Sequence, residues 1–181
     1  MLDILFSKLC IRRSIGGFWM ELWDIYDGSG HKTGLIKKRT DILSRGEYHL
    51  AAEVWIINDK LEVLIQKRSK NKEILPSIWT LTTGCMVSGE NTVDGSVREI
   101  KEELGICIEK DDLNFVRRIF QNNIIWDIYF VYMNIELSKI VLQREEVSDV
   151  KFVSVEEFKN MLLAGEIFKY DEIYDILSLI G

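Results

Sequence analysis

The chain has 181 residues, of which 47% are apolar and 29% are charged, as in one soluble globular domain and unlike a disordered segment. Its net charge of −6 argues against general binding to the DNA or RNA backbone, because such proteins need clustered positive charge. A small phosphorylated ligand held by a few local Lys and Arg side chains is compatible with this charge. No apolar stretch approaches the ~20 residues of a membrane span, so we expect no membrane segment.

The cysteines and the N-terminal residues carry further expectations. The three cysteines show no metal-type CxxC spacing and leave one unpaired in any disulfide scheme, which favours a reduced, cytoplasmic setting. Residues 1–19 lack the basic, apolar and small-residue order of a signal peptide, and a more regular pattern begins at Met20. We predict a dispensable extension over residues 1–19, with a short amphipathic anchor as the alternative, and a single domain over residues 20–181.

The first half of the domain has strand patterns. Two short strands flank the glycine turn at residues 28–30, and they are followed by "YHLAAEVWII" and "LEVLIQKRS", two strands of a hairpin or meander. A Thr-rich, β-prone stretch then follows Pro76, the single proline of the chain.

The second half begins with a helix, predicted over residues 91–104 from its periodicity. Further strands are predicted after it, at "FVRRIFQ", "IIWDIYFVYMNIEL" and "VKFVS". Two closing helices are predicted at "VEEFKNMLLAGE" and "FKYDEIYDILSLI". This order predicts one mixed α/β domain, with strands before and after a single internal helix.

The internal helix separates an apolar stripe from a group of carboxylates. At about 100° per residue, four apolar side chains share one narrow arc that can pack on the core: Val93, Val97, Ile100 and Leu104. Three carboxylates share another arc, those of Glu99, Glu102 and Glu103. Asn91 suits an N-cap and Gly105 can end the helix.

The helix alone leaves two interpretations open. An exposed pair of like charges at i,i+4, such as Glu99 with Glu103, costs only a few tenths of a kcal/mol. Arg98 and Lys101 partly offset that repulsion. The carboxylates therefore form either an ordinary solvated face or a site for divalent cations. Gly95, inside the helix, is either tolerated or admits a close neighbour.

The wider spacing favours the metal site. Residues 84–106 read "GCMVSGENTVDGSVREIKEELGI" and match every fixed position of the Nudix box: Gly, five residues, Glu, seven residues, Arg-Glu, aliphatic, any, Glu-Glu, any, Gly, aliphatic. The chain thus resembles the Nudix hydrolases. The resemblance implies an α/β/α sandwich with a central mixed β-sheet. It also implies hydrolysis of a small-molecule diphosphate with Mg²⁺ or Mn²⁺ as cofactor. The aromatic strands suit a core or an interface equally well, so both a monomer and a homodimer are compatible with the sequence.

The resemblance assigns metal-binding roles within the box. Glu99, Glu102 and Glu103 correspond to the metal-binding carboxylates, usually joined by the backbone carbonyl of Gly84. Hard oxygen ligands of this kind select Mg²⁺ over metals that prefer softer sites. Glu90 usually supports the loop or the metal shell.

The resemblance also assigns catalytic roles, to Glu99, Glu102 and Arg98. Arg98 usually orients one of the glutamates by an ion pair, and Glu99 is our first candidate for the base that deprotonates the attacking water. A distant loop often supplies an extra acid, for which Glu145 and Glu146 are the candidates, with a solvated loop as the alternative.

A narrower resemblance covers most of the chain after Met20, to the branch that includes isopentenyl-diphosphate isomerase; it rests on "YHLAAEVWII", "LIQKRSKNK" and "LPSIWT". In that branch an Arg and a Lys four residues later hold the substrate diphosphate. Arg68 and Lys72 correspond to them, and solvent-facing charges at a strand end are the alternative. His49 falls where the isomerase has a metal-binding His, but a lone His at a strand start favours a structural role.

The isomerase resemblance fails at its catalytic positions. The isomerase needs a catalytic Cys where this chain has Gly84, and a Glu pair near the stretch that contains Asn122 and Asn123. These departures favour a hydrolase of a nucleoside diphosphate derivative or another small organic diphosphate, built on an isomerase-like framework. An isomerase and a non-catalytic domain that binds a diphosphate ligand are the alternative hypotheses.

Overall fold

The computed structural model describes residues 21–180, so the predicted extension over residues 1–19 lies outside the described part of the chain. The strands are β1 (Leu22–Tyr26), β2 (Lys32–Lys38), β3 (His49–Ile57), β4 (Val63–Arg68), β5 (Trp79–Thr80), β6 (Thr82–Cys85), β7 (Asn114–Gln121), β8 (Ile124–Tyr132) and β9 (Val147–Val153). The α-helices are α1 (Thr92–Leu104), α2 (Val155–Ala164) and α3 (Ile173–Leu177). Short 3₁₀ turns lie at Lys110–Asp112 and Leu137–Lys139.

The strands form a two-stranded hairpin and a mixed sheet. The hairpin is β1 with β2, and the larger sheet has the order β5-β4-β3-β8-β7, with β6 paired to β3 and β9 paired to β4. β3 and β8 run parallel over nine residue pairs, whereas the other pairs are antiparallel. β3 meets β4 only at the pair Ile57–Val63, because β6 occupies the same side of its first half. This places the end of β6 in the middle of the sheet.

Helices cover both faces of the larger sheet, so the predicted α/β/α sandwich is confirmed. Alternate residues of β3 point to opposite faces. Leu50 and Val54 pack in one core with Ile100 and Leu104 of α1. Trp55 and Ile57 pack in the other core, with the helices α2 and α3. A third cluster joins Trp23 and Ile25 of the hairpin to Trp126 of β8.

The internal helix has the ends that the sequence predicts. The Asn91 side chain accepts a hydrogen bond of 2.9 Å from the backbone N–H of Asp94, and Gly105 ends the helix with a φ of 66°. A left-handed residue at this position is well suited to glycine. Within residues 21–180, no helix is both long and apolar enough to cross a membrane.

The last predicted helix is shorter than its apolar pattern suggests. The pattern extends over residues 168–180, but α3 covers only Ile173–Leu177. The preceding backbone pairs with β5 instead: Trp79 donates to Glu166 O at 3.1 Å, and Phe168 donates to Trp79 O at 2.8 Å. Since these residues extend along a strand, they cannot continue a helix.

Candidate active site

The first contact of the site joins β6 to the middle of α1. Gly84 lies in β6, opposite Ala52 of β3. A Cβ atom on Gly84 would lie only 2.4 Å from Cγ and 2.9 Å from Cδ of Glu99, well inside ordinary van der Waals contact. Only glycine lets the strand come this close to the helix, and the Glu99 side chain therefore lies directly against the Gly84 backbone.

Arg98 links three carboxylates of the box. Its Nε and Nη2 each donate to Glu90 at 2.7 Å, in a bidentate pair. Its Nη1 contacts Glu99 Oε1 at 2.5 Å and Glu102 Oε2 at 3.3 Å. Burial lowers the pKa of Arg98, but its hydrogen bonds and ion pairs with Glu90 and Glu99 outweigh this and raise it above its usual value. Arg98 is therefore a permanent cation that holds these carboxylates in place.

Glu103 lies at the buried edge of the carboxylate group. It accepts a hydrogen bond of 2.7 Å from Gln66 Nε2 of β4, and Thr82 Oγ1 approaches the other end of the Gln66 amide at 3.4 Å. The helical periodicity places the three glutamates on one arc, but their side chains contact different parts of the protein. Glu103 contacts β4, whereas Glu99 and Glu102 share a nitrogen of Arg98.

The donor set fits a hard divalent cation. In the described residues, no three His, Cys, Asp or Glu side chains are arranged as a ready-made metal site. Glu99 and Glu102 nevertheless lie side by side, since both contact the same Arg98 nitrogen, and Glu99 also lies on the Gly84 backbone. Carboxylate and carbonyl oxygens are the ligands that Mg²⁺ and Mn²⁺ prefer.

Arg68 and Lys72 are not solvent-facing charges. Arg68 is buried, and its Nε donates to Ile74 O at 3.0 Å. The side chain of Lys72 is only 10% exposed and pairs with Glu146 through a contact of 2.5 Å. The alternative interpretation of these residues, as solvated charges at a strand end, is therefore wrong.

The loop that carries Glu145 and Glu146 connects the Arg68 region to α1. The backbone of Ser69 donates to Glu146 O at 2.8 Å, and the backbone of Gln143 donates to Glu103 O at 2.9 Å. Glu145 is exposed, whereas the side chain of Glu146 is largely covered by its pair with Lys72. Glu146 is thus the better placed of the two candidate acids.

His49 is enclosed by the N-terminal hairpin. It is 1% exposed, and its ring stacks on that of Trp23 at 3.8 Å between centroids. Burial, followed by the positive charge of Arg39, lowers the pKa of His49 to about 3, so the imidazole is neutral at physiological pH. This geometry supports the structural role that its position in the sequence favours.

Comparison with known proteins decides the family. Residues 47–175 match the model of the NUDIX domain family. The chain belongs to the Nudix family. An uncharacterized Nudix hydrolase of Listeria monocytogenes is 37% identical over 164 residues, which cover 88% of this chain and 95% of that protein. This chain is likewise a Nudix hydrolase.

Two further comparisons bear on the fold and the branch of this Nudix hydrolase. The crystal structure of DR0079 from Deinococcus radiodurans superposes with a TM-score of 0.69 at 20% identity, over 88% of this chain and 99% of that one. An isopentenyl-diphosphate delta-isomerase of Gibberella zeae is 28% identical over 144 residues, which cover 65% of this chain and 55% of that protein. The first likeness shows a fold shared along almost the whole of both chains, and the second agrees with the predicted resemblance to the isomerase branch.

A buried polar network at the start of α1 is absent from the sequence predictions. Thr92 Oγ1 donates to Asp127 Oδ2 at 2.7 Å and lies 2.8 Å from the Tyr129 hydroxyl. Arg118 holds the same carboxylate in a bidentate pair at 2.7 and 2.8 Å. The network fixes the first turn of α1 on β7 and β8. An aspartate inside the apolar run "IIWDIYF" is the signal that could have revealed it.

Proposed function

We propose that this Nudix hydrolase cleaves the diphosphate bond of a nucleoside diphosphate derivative or another small organic diphosphate, with Mg²⁺ or Mn²⁺ as its cofactor. The observation that carries the proposal is the packing of Glu99 on Gly84, together with the ion pair that Arg98 forms with the Glu99 carboxylate. An ordinary solvated helix face needs neither a glycine opposite its glutamate nor a half-buried arginine that pairs with three carboxylates.

The box residues have distinct roles in this reaction. Glu99, Glu102, Glu103 and the Gly84 carbonyl are the proposed metal ligands. When bound, the divalent cations supply charge neutralisation for the phosphates and lower the pKa of the attacking water. Glu99 accepts the proton of that water, and Arg98 keeps Glu99 oriented for it.

Arg68 and Lys72 are the proposed ligands of the substrate diphosphate. Both side chains lie inside the protein, where a cation attracts phosphate more strongly than it does in bulk water. Lys72 would exchange its partner Glu146 for a phosphate oxygen. The exchange frees the Glu146 carboxylate from its pair with Lys72. Glu146 lies on the loop that contacts α1, so it is our candidate for the additional acid.

The geometry argues against an isomerase. Gly84 stands where the isomerase needs its cysteine, and a side chain there would collide with Glu99. Asn122 and Asn123 form the turn between β7 and β8 with φ values of 52° and 60°. Asn123 Nδ2 donates a hydrogen bond of 2.9 Å to the backbone carbonyl of Ser44. We therefore propose a hydrolase of small-molecule diphosphates, and we place it in the cytoplasm because of its cysteine pattern.

A diphosphate panel with Mg²⁺ or Mn²⁺ tests the proposal. The purified protein is expected to release phosphate, pyrophosphate or a monophosphate from at least one member of the panel. Glu102→Gln should lower kcat by at least ~100-fold, since it removes a metal-binding charge, while the exposed Glu156→Gln serves as the matched control. Absence of any product, or a Glu102→Gln variant as active as wild type, would contradict the proposal.

A further inference from the structure

The N-terminal hairpin contacts the loop that leads into α1. This box loop, residues 87–90, lies between β6 and the N-cap of the helix. Ser88 N donates to Leu22 O at 2.7 Å. Ser88 Oγ donates to Asp24 Oδ1 at 2.7 Å, and Gly89 N donates to Asp24 Oδ2 at 2.9 Å. Three hydrogen bonds therefore join the box loop to β1, a strand more than 60 residues earlier in the chain.

Asp24 is held in place by the rest of the hairpin. Since side chains alternate along β1, Trp23 and Ile25 point into the third core cluster and Asp24 points to the opposite face. Lys32 Nζ donates to Asp24 Oδ2 at 2.6 Å, and the Asp24 side chain is only 16% exposed. Burial raises the pKa of Asp24, but hydrogen bonds from Lys32 and the box loop outweigh this and lower it to about 2 from 3.8. Asp24 is therefore a fixed anion, and both of its oxygens accept hydrogen bonds.

The box loop ends at Glu90, the residue that holds Arg98. Glu90 Oε2 accepts a hydrogen bond of 3.2 Å from Val87 N, across the loop. Both Glu90 oxygens accept from Arg98 at 2.7 Å, and Arg98 Nη1 contacts Glu99 Oε1 at 2.5 Å. A continuous series of contacts thus leads from Asp24, through the loop and Arg98, to the proposed base Glu99.

β1 is a rigid support for the box loop. Tyr26 exchanges two backbone hydrogen bonds with Tyr48, at 2.8 and 2.9 Å, which fixes the hairpin to the start of β3. A loop places a functional side chain accurately only when a rigid element holds it. β1 and β2 precede residues 47–175, the part of the chain that matches the family. The support of the box loop therefore comes from outside the family domain.

We propose that Asp24 is a positioning residue for the metal site: it fixes the box loop, and through Glu90 and Arg98 it holds Glu99 in place. This inference rests on the proposed function, because it takes Glu99 to bind the metal and to deprotonate the attacking water. It adds a residue of the hairpin to the parts of the chain on which the reaction depends.

Asp24→Asn tests the inference, because it keeps the size of the side chain and removes its charge and one acceptor oxygen. For a cleavable diphosphate, kcat should fall about tenfold, since a small displacement of a catalytic group is costly. KM should stay within about threefold of wild type, because the proposed diphosphate ligands lie on β4 and the loop after it. The affinity for Mn²⁺, measured by electron paramagnetic resonance, should fall at least threefold.

Glu47→Gln is the matched control. Glu47 is also a largely covered carboxylate of this region, with a side chain 20% exposed. Its partners are Lys37 Nζ of β2 at 2.5 Å and Ser44 N at 2.6 Å, and neither belongs to the box loop. The variant therefore neutralises a lysine-paired carboxylate at the hairpin and should keep wild-type kcat and Mn²⁺ affinity.

Two further measurements distinguish positioning from a general loss of stability. The Arg98 Nε–H proton is bonded to Glu90, so NMR should show its exchange with water accelerated at least fivefold in Asp24→Asn and unchanged in Glu47→Gln. In a Glu90→Gln background the connection is already broken, so Asp24→Asn should lower kcat by less than threefold more. A loss through stability alone would multiply instead.

Ser88→Ala provides a second variant if Asp24→Asn does not fold. It removes the hydroxyl donor to Asp24 and leaves the hairpin intact. We expect kcat to fall at least threefold, again with little change in KM. Wild-type kcat in folded Ser88→Ala and wild-type Arg98 Nε–H exchange would together overturn the inference.

The outcomes separate this inference from the proposed function. A folded Asp24→Asn protein with wild-type kcat and Mn²⁺ affinity, or a full tenfold loss in the Glu90→Gln background, would overturn the inference and leave the proposed function standing. Absence of hydrolysis by the wild type, with weaker Mn²⁺ binding and faster Arg98 exchange in Asp24→Asn, would overturn the proposed function and leave the positioning role standing.

Discussion

Replacement of Gly84 by alanine perturbs the contact on which the proposed site depends. The new Cβ would lie 2.4 Å from Glu99 Cγ, whereas ordinary contacts begin at 3.4 Å. Glu99 or β6 must therefore move by about 1 Å. Overpacking of this kind costs about 1–3 kcal/mol of stability. A shift of ~1 Å in a catalytic group can lower the rate about 100-fold.

Three quantities are measured on the same preparations of wild type and variant. They are kcat/KM in the presence of Mg²⁺, the affinity for Mn²⁺ by electron paramagnetic resonance, and the thermal unfolding temperature. Gly84→Ala should lose about two orders of magnitude in kcat/KM and bind Mn²⁺ more weakly, while it remains folded. Gly28→Ala is the matched control, because the nearest atom to its Cβ is 3.9 Å away. A folded Gly84→Ala protein with wild-type kcat/KM and wild-type Mn²⁺ affinity would refute the placement of Glu99 at the metal site.

Three further predictions concern the box helix and the buried acid. Arg98→Lys keeps the charge but loses the bidentate pair with Glu90, so kcat/KM should fall at least ~10-fold at saturating Mg²⁺. Gly95→Ala should destabilise the protein by about 1–3 kcal/mol in urea unfolding, because its Cβ would lie 2.1 Å from Met86 Sδ. In a Met86→Ala background this clash is absent, so the same substitution should stabilise the protein, because Ala favours a helix more than Gly does. Burial raises the pKa of Glu53 to about 8 from 4.5, so the folded protein retains a proton that the unfolded chain loses. The free energy of unfolding should therefore fall between pH 4.5 and about 8, by at most about 1.4 kcal/mol per pH unit, and Glu53→Gln should flatten this slope.

Each of these predictions has an outcome that contradicts it. Wild-type activity in Arg98→Lys would show that charge alone, without the bidentate geometry, is sufficient. A Gly95→Ala protein more stable than wild type in the presence of Met86 would show that the methionine moves aside at little cost. A pH slope that Glu53→Gln leaves unchanged would assign the slope to other groups.

The sequence predicts the parts of the site that depend on local spacing. The helix over residues 91–104 and the shared arc of Glu99, Glu102 and Glu103 follow from a period of 3.6 residues, and the N-cap at Asn91 follows from its side-chain type. The Nudix box adds Gly84 and Arg98, because their spacing from the glutamates is fixed. These residues lie on one strand, one loop and one helix that are consecutive in the chain.

Contacts between distant segments could not be predicted in this way. The close neighbour that Gly95 admits is Met86, which depends on how β6 approaches α1. The burial of Arg68 depends on the loop around Ile74, whose carbonyl the guanidinium meets. The burial of Glu53 depends on the segment before α3, whose residues 166–168 pair with Trp79 of β5 and do not continue the predicted helix. A glutamate in the middle of an apolar strand signals a buried acid, but not which distant segment covers it.

The position of β3 also predicts which amide hydrogens of the described chain exchange slowly with solvent. All nine of its residues are buried, and it is bonded to β4, β6 and β8. Its amide hydrogens should therefore exchange with solvent only through global unfolding, while β7, a sheet edge with several exposed residues, opens by local fluctuations. Gly84 is paired to Ala52 of β3, so the backbone beneath the proposed metal site should exchange as slowly as β3 itself. Any adaptation to different substrates on a faster timescale must come from the loops around it.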